Sequence, residues 1–182
     1  SCDVWLAAVV DEEFSYRGVV KLCEGLAADA AIVAEPTELK LVVASKGVLR
    51  WRIVVRGRAA HSSKPHLGAN AIEQIARVVM AIEANHAGLA RNSHRLLGSA
   101  TCNVGVIRGG VQVNIVPDRC EIEVDRRLLP GESVDRVLAG YQEMLDRVSV
   151  VHRGFEAWME PPMLVDEALD TPEDAPPVRI GR

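Results

Sequence analysis

The sequence predicts an α/β chain in two parts: a partial parallel βαβ unit, joined to an α+β sandwich whose four-stranded antiparallel sheet carries two helices on one face. Three observations lead there. Two short apolar runs, Val4 to Val10 and Ala30 to Ala34, lack polar alternation, the pattern of strands buried on both faces. The stretch between them has helical spacing. Beyond Lys46 the pattern changes to strict alternation, which marks a sheet with one solvated face.

The first run ends in Asp11-Glu12-Glu13 and the second in Glu35-Pro36-Thr37. Phe14 to Asp29 is long enough for the crossover that parallel strands require, and Val19, Val20, Cys23 and Leu26 give Tyr16 to Leu26 a helical stripe. Leu39 to Ala44 reads as a strand and Lys46-Gly47 as a turn. In Val48 to Val55, Leu49, Trp51, Ile53 and Val55 point one way, while Arg50, Arg52 and Arg56 point the other. From Asn70 to Ala84, Ile72, Ile75, Ala76, Val79 and Ile82 form an amphipathic helix, followed by a loop from Leu89 to Ser99.

Ala100 to Ile107 and Asp118 to Leu128 are strands, the second with Cys120, Ile122 and Val124 facing in and Glu121, Glu123 and Asp125 facing out. Pro130-Gly131 breaks the chain. Ser133 is a suitable N-cap for a helix striped by Val134, Val137, Leu138, Tyr141, Leu145 and Val148, and Val150 to Trp158 is the last strand. The order β, α, β, β, α, β over Gly47 to Trp158 is that of a split-βαβ, ferredoxin-like sandwich. The proline-rich tail, Met159 to Arg182, reads as an extended linker or a strand-poor edge. The predicted parts are 1–45, 46–158 and 159–182.

The chain of 182 residues is 48% apolar and 25% charged, with a formal net charge of −4 and a pI near 5.8, an ordinary globular composition. It has no basic stripe to follow a phosphate backbone, no apolar run long enough to span a membrane and no basic-then-apolar leader, so nucleic acid and membrane are not expected partners and the cytoplasm is the expected location. Cys2, Cys23, Cys102 and Cys120 show no Cys-x-x-Cys spacing and are expected to be reduced, with Cys102 and Cys120 acting as small core groups. A chain beginning with Ser1, about three residues before a core strand, has the look of a piece of something longer.

Carboxylates at the ends of adjacent strands gather in open α/β sheets, where such a set suits metal-assisted hydrolysis. Acids at strand ends are also commonly just solvated, and the residues alone leave both readings open. The segment Gly57-Arg58-Ala59-Ala60-His61-Ser62-Ser63-Lys64-Pro65-His66-Leu67-Gly68-Ala69-Asn70-Ala71-Ile72 joins the alternating strand to the first sandwich helix. Together with the two acidic motifs, Gly109-Gly110, Asn114-Ile115-Val116-Pro117, Asp125-Arg126-Arg127 and Pro130-Gly131, it closely resembles the acetylornithine deacetylase, succinyl-diaminopimelate desuccinylase and carboxypeptidase G family of dinuclear metallopeptidases.

That resemblance implies a partial catalytic domain over 1–45, a lid and dimerisation domain over 46–158, and a return segment toward the catalytic domain over 159–182. It implies a metal-dependent amide hydrolase for N-acyl amino acids or small peptides, with two divalent ions, zinc or alternatively cobalt. Glu12 matches the general base, Glu13 and Glu35 match metal ligands, and His61 matches the lid histidine that reaches across the homodimer to the scissile group. Asn114 and Arg127 match positions that hold the substrate's carbonyl and carboxylate, a task for which a planar guanidinium fork is suited. Left to the residues alone, His61 could equally cap a helix or meet solvent, and Arg127 could pair with Asp125 or Glu123. The family's upstream His-x-Asp motif, bridging aspartate and late histidine have no match here, so this piece by itself is expected to be inactive and to bind no metal tightly. A noncatalytic dimerisation module is the alternative.

Overall fold

The computed structural model describes residues 3–13, 15–151 and 155–182. The chain divides into two compact units, Ser1–Leu41 with Pro172–Arg182, and Val42–Thr171.

The first unit holds helix α1, Arg17–Cys23, and the C-terminal helix given below. Tyr16 enters α1 in the left-handed region at φ 57°. Asp11 receives hydrogen bonds from the Ser15 hydroxyl and, at 2.8 Å, from Arg17 Nε, and these hold its carboxyl below the usual range, the serine contributing most. The expected parallel βαβ unit does not form. Neither Val4 to Val10 nor Ala30 to Ala34 carries a strand, and Leu6 and Ile32 are 100% and 82% exposed. A strand buried on both faces needs a neighbour to complete its ladder and a layer on each side. Among the described residues these runs have neither.

In the second unit the expected strand Leu39 to Ala44 shrinks to β1, Ala44–Ser45, because Glu38 and Leu39 adopt positive φ and interrupt the extended path. There follow β2 (Gly47–Arg56), β3 (Ala60–His61), α2 (Ala71–Leu89), β4 (Ser93–His94), β5 (Gly98–Ser99), β6 (Thr101–Gly109), β7 (Ile115–Val116), β8 (Arg119–Leu128), α3 (Val134–Val151), β9 (Glu156–Met159), β10 (Leu164–Asp166) and β11 (Leu169–Asp170). The first unit then resumes with α4, Pro176–Gly181, whose Val178 is buried.

The main sheet is antiparallel throughout, ordered β10-β2-β8-β6, with β9 also on β2. Five segments build it rather than the four expected, because part of the proline-rich tail joins it. β9 pairs with Ile53 to Arg56 and β10 with Val48 to Arg50. Between them, Pro161 and Pro162 fall where the ladder pauses, flanked by Glu160 N donating to Arg52 O and Met163 N to Arg50 O. The strand expected from Val150 starts later, because α3 runs on to Val151; His152 lies outside the described residues.

The core lies between the sheet and helices α2 and α3. Leu49, Trp51, Ile53 and Val55 of β2 meet Cys120, Ile122 and Val124 of β8, Ile75, Val78 and Ile82 of α2, and Tyr141, Met144 and Leu145 of α3. Trp51 and Tyr141 stack edge to face at 4.8 Å. Asn70 caps α2, its Oδ1 accepting from Ile72 N and Glu73 N at 2.9 and 3.2 Å. That cap, with Ala71 N donating to Pro117 O, sets the helix's rotation, so Ala71 and Gln74 are buried where the spacing had placed Ile72 and Ala76. Cys102 and Cys120 are buried free thiols, and burial pushes both thiol pKa values up.

The opposite sheet face is a lattice of ion pairs centred on Arg52, which reaches Glu160, Glu123 and Glu121 at 3.1, 3.3 and 3.4 Å. Arg108 also bonds Glu123 at 2.6 Å and, ahead of Arg52, holds that carboxyl below its usual range. At the unit's own ends, β1 pairs with β11, Ala44 opposite Asp170 and Ser45 opposite Leu169, and Thr171 N donates to Val43 O at 2.7 Å. Among the described residues no helix is long and apolar enough to cross a membrane.

Candidate functional site

The segment from β2 to α2 is strapped onto the sandwich by backbone hydrogen bonds. Gly57 N donates to Asp118 O at 2.8 Å, and Arg58 and Ala69 exchange two bonds at 2.9 Å each. Glycine is required at 57 for space: a Cβ there would lie 2.1 Å from the Ala69 carbonyl oxygen. Gly57→Ala therefore pushes the two ends of the strap apart and is expected to cost about 1–3 kcal/mol, the usual range for overpacking, with loss of amide protection at Arg58 and Ala69 in hydrogen exchange.

Within the strap, β3 pairs with β7. Ala60 stands opposite Val116 and His61 opposite Ile115, and Ser62 N donates to Asn114 O at 2.9 Å. This short ladder brings His61 and Asn114, more than fifty residues apart in sequence, to one edge. The His61 backbone is held on its other side too, its carbonyl accepting from Lys64 N. The His61 side chain is exposed, but its ring is oriented: Nδ1 accepts from Ser63 N at 3.1 Å and lies 2.8 Å from Ser63 Oγ. A nitrogen that accepts a backbone N–H carries no proton of its own in the neutral ring. In the neutral ring the proton then resides on Nε2, so the exposed His61 side chain carries an N–H donor there. Beside the ladder lies an open groove of about 610 Å³, lined by Ser62, Pro65, Asn70, Val111, Ile115 and Pro117 among others.

Of the remaining expected site residues, Glu12, Glu13 and Glu35 belong to the first unit and Arg127 to the second. Glu12 and Glu13 lie just before α1 and Glu35 just after the second apolar run, all three exposed. Among the described residues no group of three or more His, Cys, Asp or Glu side chains is placed to hold a metal ion. A catalytic zinc takes three protein ligands, so the donors among the described residues do not make up such a centre. Arg127 lies on the ion-paired face of β8, with Nε 2.8 Å from Asp125 Oδ1, and Asp125 also accepts from Arg50 at 2.7 Å. Its fork is engaged by the neighbouring acid. Ser63 has a part that sequence reasoning did not assign, orienting the His61 ring; the available signal was a hydroxyl two residues beyond a loop histidine.

Comparison with known proteins places these features in a family. The model of the peptidase dimerisation domain matches residues 43–153. The acetylornithine deacetylase of Myxococcus xanthus is 35% identical over 177 residues, and a probable carboxypeptidase of Aspergillus terreus is 31% identical over 187 residues. Each alignment covers 93% of this chain but only 46% and 43% of the relative, so the chain spans about half the length of these curated relatives or less. Among solved structures, aminopeptidase PepT from Bacillus cereus superposes with a TM-score of 0.58 at 24% identity, over 76% of this chain and 35% of that one. A hydantoinase/carbamoylase family amidase from Burkholderia ambifaria gives the same score at 19% identity, over 70% of this chain and 30% of its own. At these identities the structures speak for the fold. The family match runs through β2, the His61 strap, the Asn114 turn and both sandwich helices, and on that ground the chain belongs to the peptidase dimerisation domain family, alongside acetylornithine deacetylases and carboxypeptidases.

Proposed function

We propose that this chain is part of a hydrolase that cleaves the amide bond of N-acyl amino acids or small peptides, in which residues 46–158 serve as a ferredoxin-like lid and homodimer interface. Residues 1–45 are then part of a catalytic domain and 159–182 its return segment. The observation that supports the reading is the β3–β7 ladder, which holds the backbones of His61 and Asn114 at one edge while Ser63 N occupies His61 Nδ1 and leaves the neutral ring's N–H on Nε2. A fixed N–H aimed at a developing oxyanion is what amide hydrolysis needs, because charge grows on the carbonyl oxygen as the nucleophile adds. Asn114 is the second polar group for that carbonyl. Arg127 binds the substrate carboxylate in this reading, which requires it to leave Asp125 or to share it. Glu12 takes the proton of the attacking water and passes it to the leaving amine. Glu13 and Glu35 are two ligands of a pair of divalent ions, zinc or cobalt, in the full-length parent.

A second reading, a noncatalytic dimerisation module, draws on the exposure of the three acids and on the self-contained Val42–Thr171 unit. One experiment separates them. The full-length gene product, assayed against a panel of N-acyl amino acids and small peptides, is expected to hydrolyse at least one of them, to lose turnover in chelator and to regain it with zinc or cobalt. Failure on the whole panel, with a dimer of the 182-residue chain in sedimentation, establishes the noncatalytic reading instead.

A further inference from the structure

Helices α2 and α3 lie side by side over the sheet, and between them runs a groove of about 710 Å³ whose lining shares no residue with the groove beside His61. Small residues open it. Ala81 and Ala84 of α2 face Gly140 of α3 across it, and a Cβ built on Gly140 meets no atom within 4 Å. Its volume falls within the range of small-molecule pockets, about 300–1,000 Å³, and an apolar floor with a few polar groups is their usual lining.

The charge of the groove is one-sided. Arg77, Arg126, Arg136 and Arg147 line it against one acid, Glu143, in a chain whose net charge is −4. Arg77 and Arg136 pair with no carboxylate among the described residues, and Glu143 approaches Arg147 no closer than 4.0 Å. The floor adds a buried guanidinium and a buried phenol. Arg126, 2% exposed, bonds Glu132 and the Arg127 carbonyl, yet its Nε has no partner. The Tyr141 hydroxyl, equally deep, lies against the Cys102 thiol and the Arg126 guanidinium. Arg126 Nε is itself covered, so the forks a ligand in the groove can reach are those of Arg77, Arg136 and Arg147.

We infer that the α2–α3 groove binds a small amphiphilic anion, its apolar body lying on Leu89, Val137 and Met144 and its oxyanion head held by the arginine forks. Guanidinium groups take phosphate and carboxylate alike in a two-bond geometry, so the head is an oxyanion from either a phosphate monoester or a carboxylic acid.

The test titrates the isotope-labelled 182-residue chain with phenyl phosphate and, separately, with 3-phenylpropanoate, using benzyl alcohol as the neutral control. At least one anion is expected to give saturable amide shifts centred on α2 and α3, with the alcohol at least about tenfold weaker; which anion responds names the head group. The double variant Arg77→Ala/Arg136→Ala is expected to weaken binding by about tenfold or more. Gly140→Leu fills the groove and is expected to abolish binding, whereas Gly140→Ala, an improvement in helix propensity, keeps it. The inference is overturned if neither anion saturates by about 10 mM, a level at which millimolar sites fill. Equal binding of the alcohol overturns it as well, as does unchanged affinity in the double arginine variant.

Discussion

Glu132→Ala is expected to lower the unfolding free energy of the chain by about 3 kcal/mol, the lower end of the range for breaking a buried ion pair, because Glu132 itself keeps a quarter of its side chain in water. The effect is large for one surface-accessible residue because this carboxylate makes two unlike contacts. One oxygen accepts from Arg126 Nη2 at 2.7 Å and the other from Leu129 N at 2.7 Å. The second contact closes the turn Leu129-Pro130-Gly131-Glu132, in which Glu132 N donates to Leu129 O at 3.0 Å and Gly131 sits at φ 83°. Proline followed by a positive-φ glycine is the signature of a type II turn. Removing the carboxylate leaves Arg126 almost wholly buried with only the Arg127 carbonyl to receive it. Urea denaturation checks this, and the double variant Arg126→Met/Glu132→Ala should recover most of the loss because no unpaired charge is left behind. A single variant within about 1 kcal/mol of the parent would show that Arg126 finds water or another acceptor.

If the full-length protein is the proposed hydrolase, His61→Ala in it is expected to reduce kcat by about 100- to 1,000-fold, the scale for removing one oxyanion donor, with a much smaller change in KM. His61→Asn, which keeps an N–H, should lose less. The reading further requires that the donor come from the facing protomer, and mixing tests that directly. A His61→Ala chain and a Glu12→Gln chain, each inactive alone, form heterodimers in which one of the two sites draws an intact Glu12 from one chain and an intact His61 from the other. Random association then restores about a quarter of the wild-type rate. If the mixture stays as inactive as its components, His61 serves its own chain or none. Ser63→Ala supplies a gentler version, since it removes the hydroxyl beside Nδ1 but leaves the backbone donor in place.

What could be read from the sequence divides along a physical line. In the sandwich, alternation located β2 and β8 within a residue or so, and helical spacing located α2 and α3, because those elements bury their apolar faces against one another inside the same stretch of chain. The apolar run from Val4 to Val10 carries a different signal, an unbroken stretch without alternation, and forms no strand. An unbroken apolar run reports that both faces would be buried and is silent on whether the covering layers are present. Arg126 illustrates a second blind spot: it follows Cys120, Ile122 and Val124 in strict alternation, so parity alone turned it inward, yet its charge argued for the surface. His61 and Asn114 were nominated through a resemblance rather than through spacing. Their meeting depends on a two-residue ladder between distant segments, and no local pattern encodes such a partnership.

The pairing of β1 with β11 means that the sandwich starts and stops at nearly the same point in space. A module with adjacent ends can be spliced into an exposed loop of another protein, or cut back out, while the host's backbone path stays almost unchanged. Such a cassette can be carried between scaffolds together with its own hydrophobic interior.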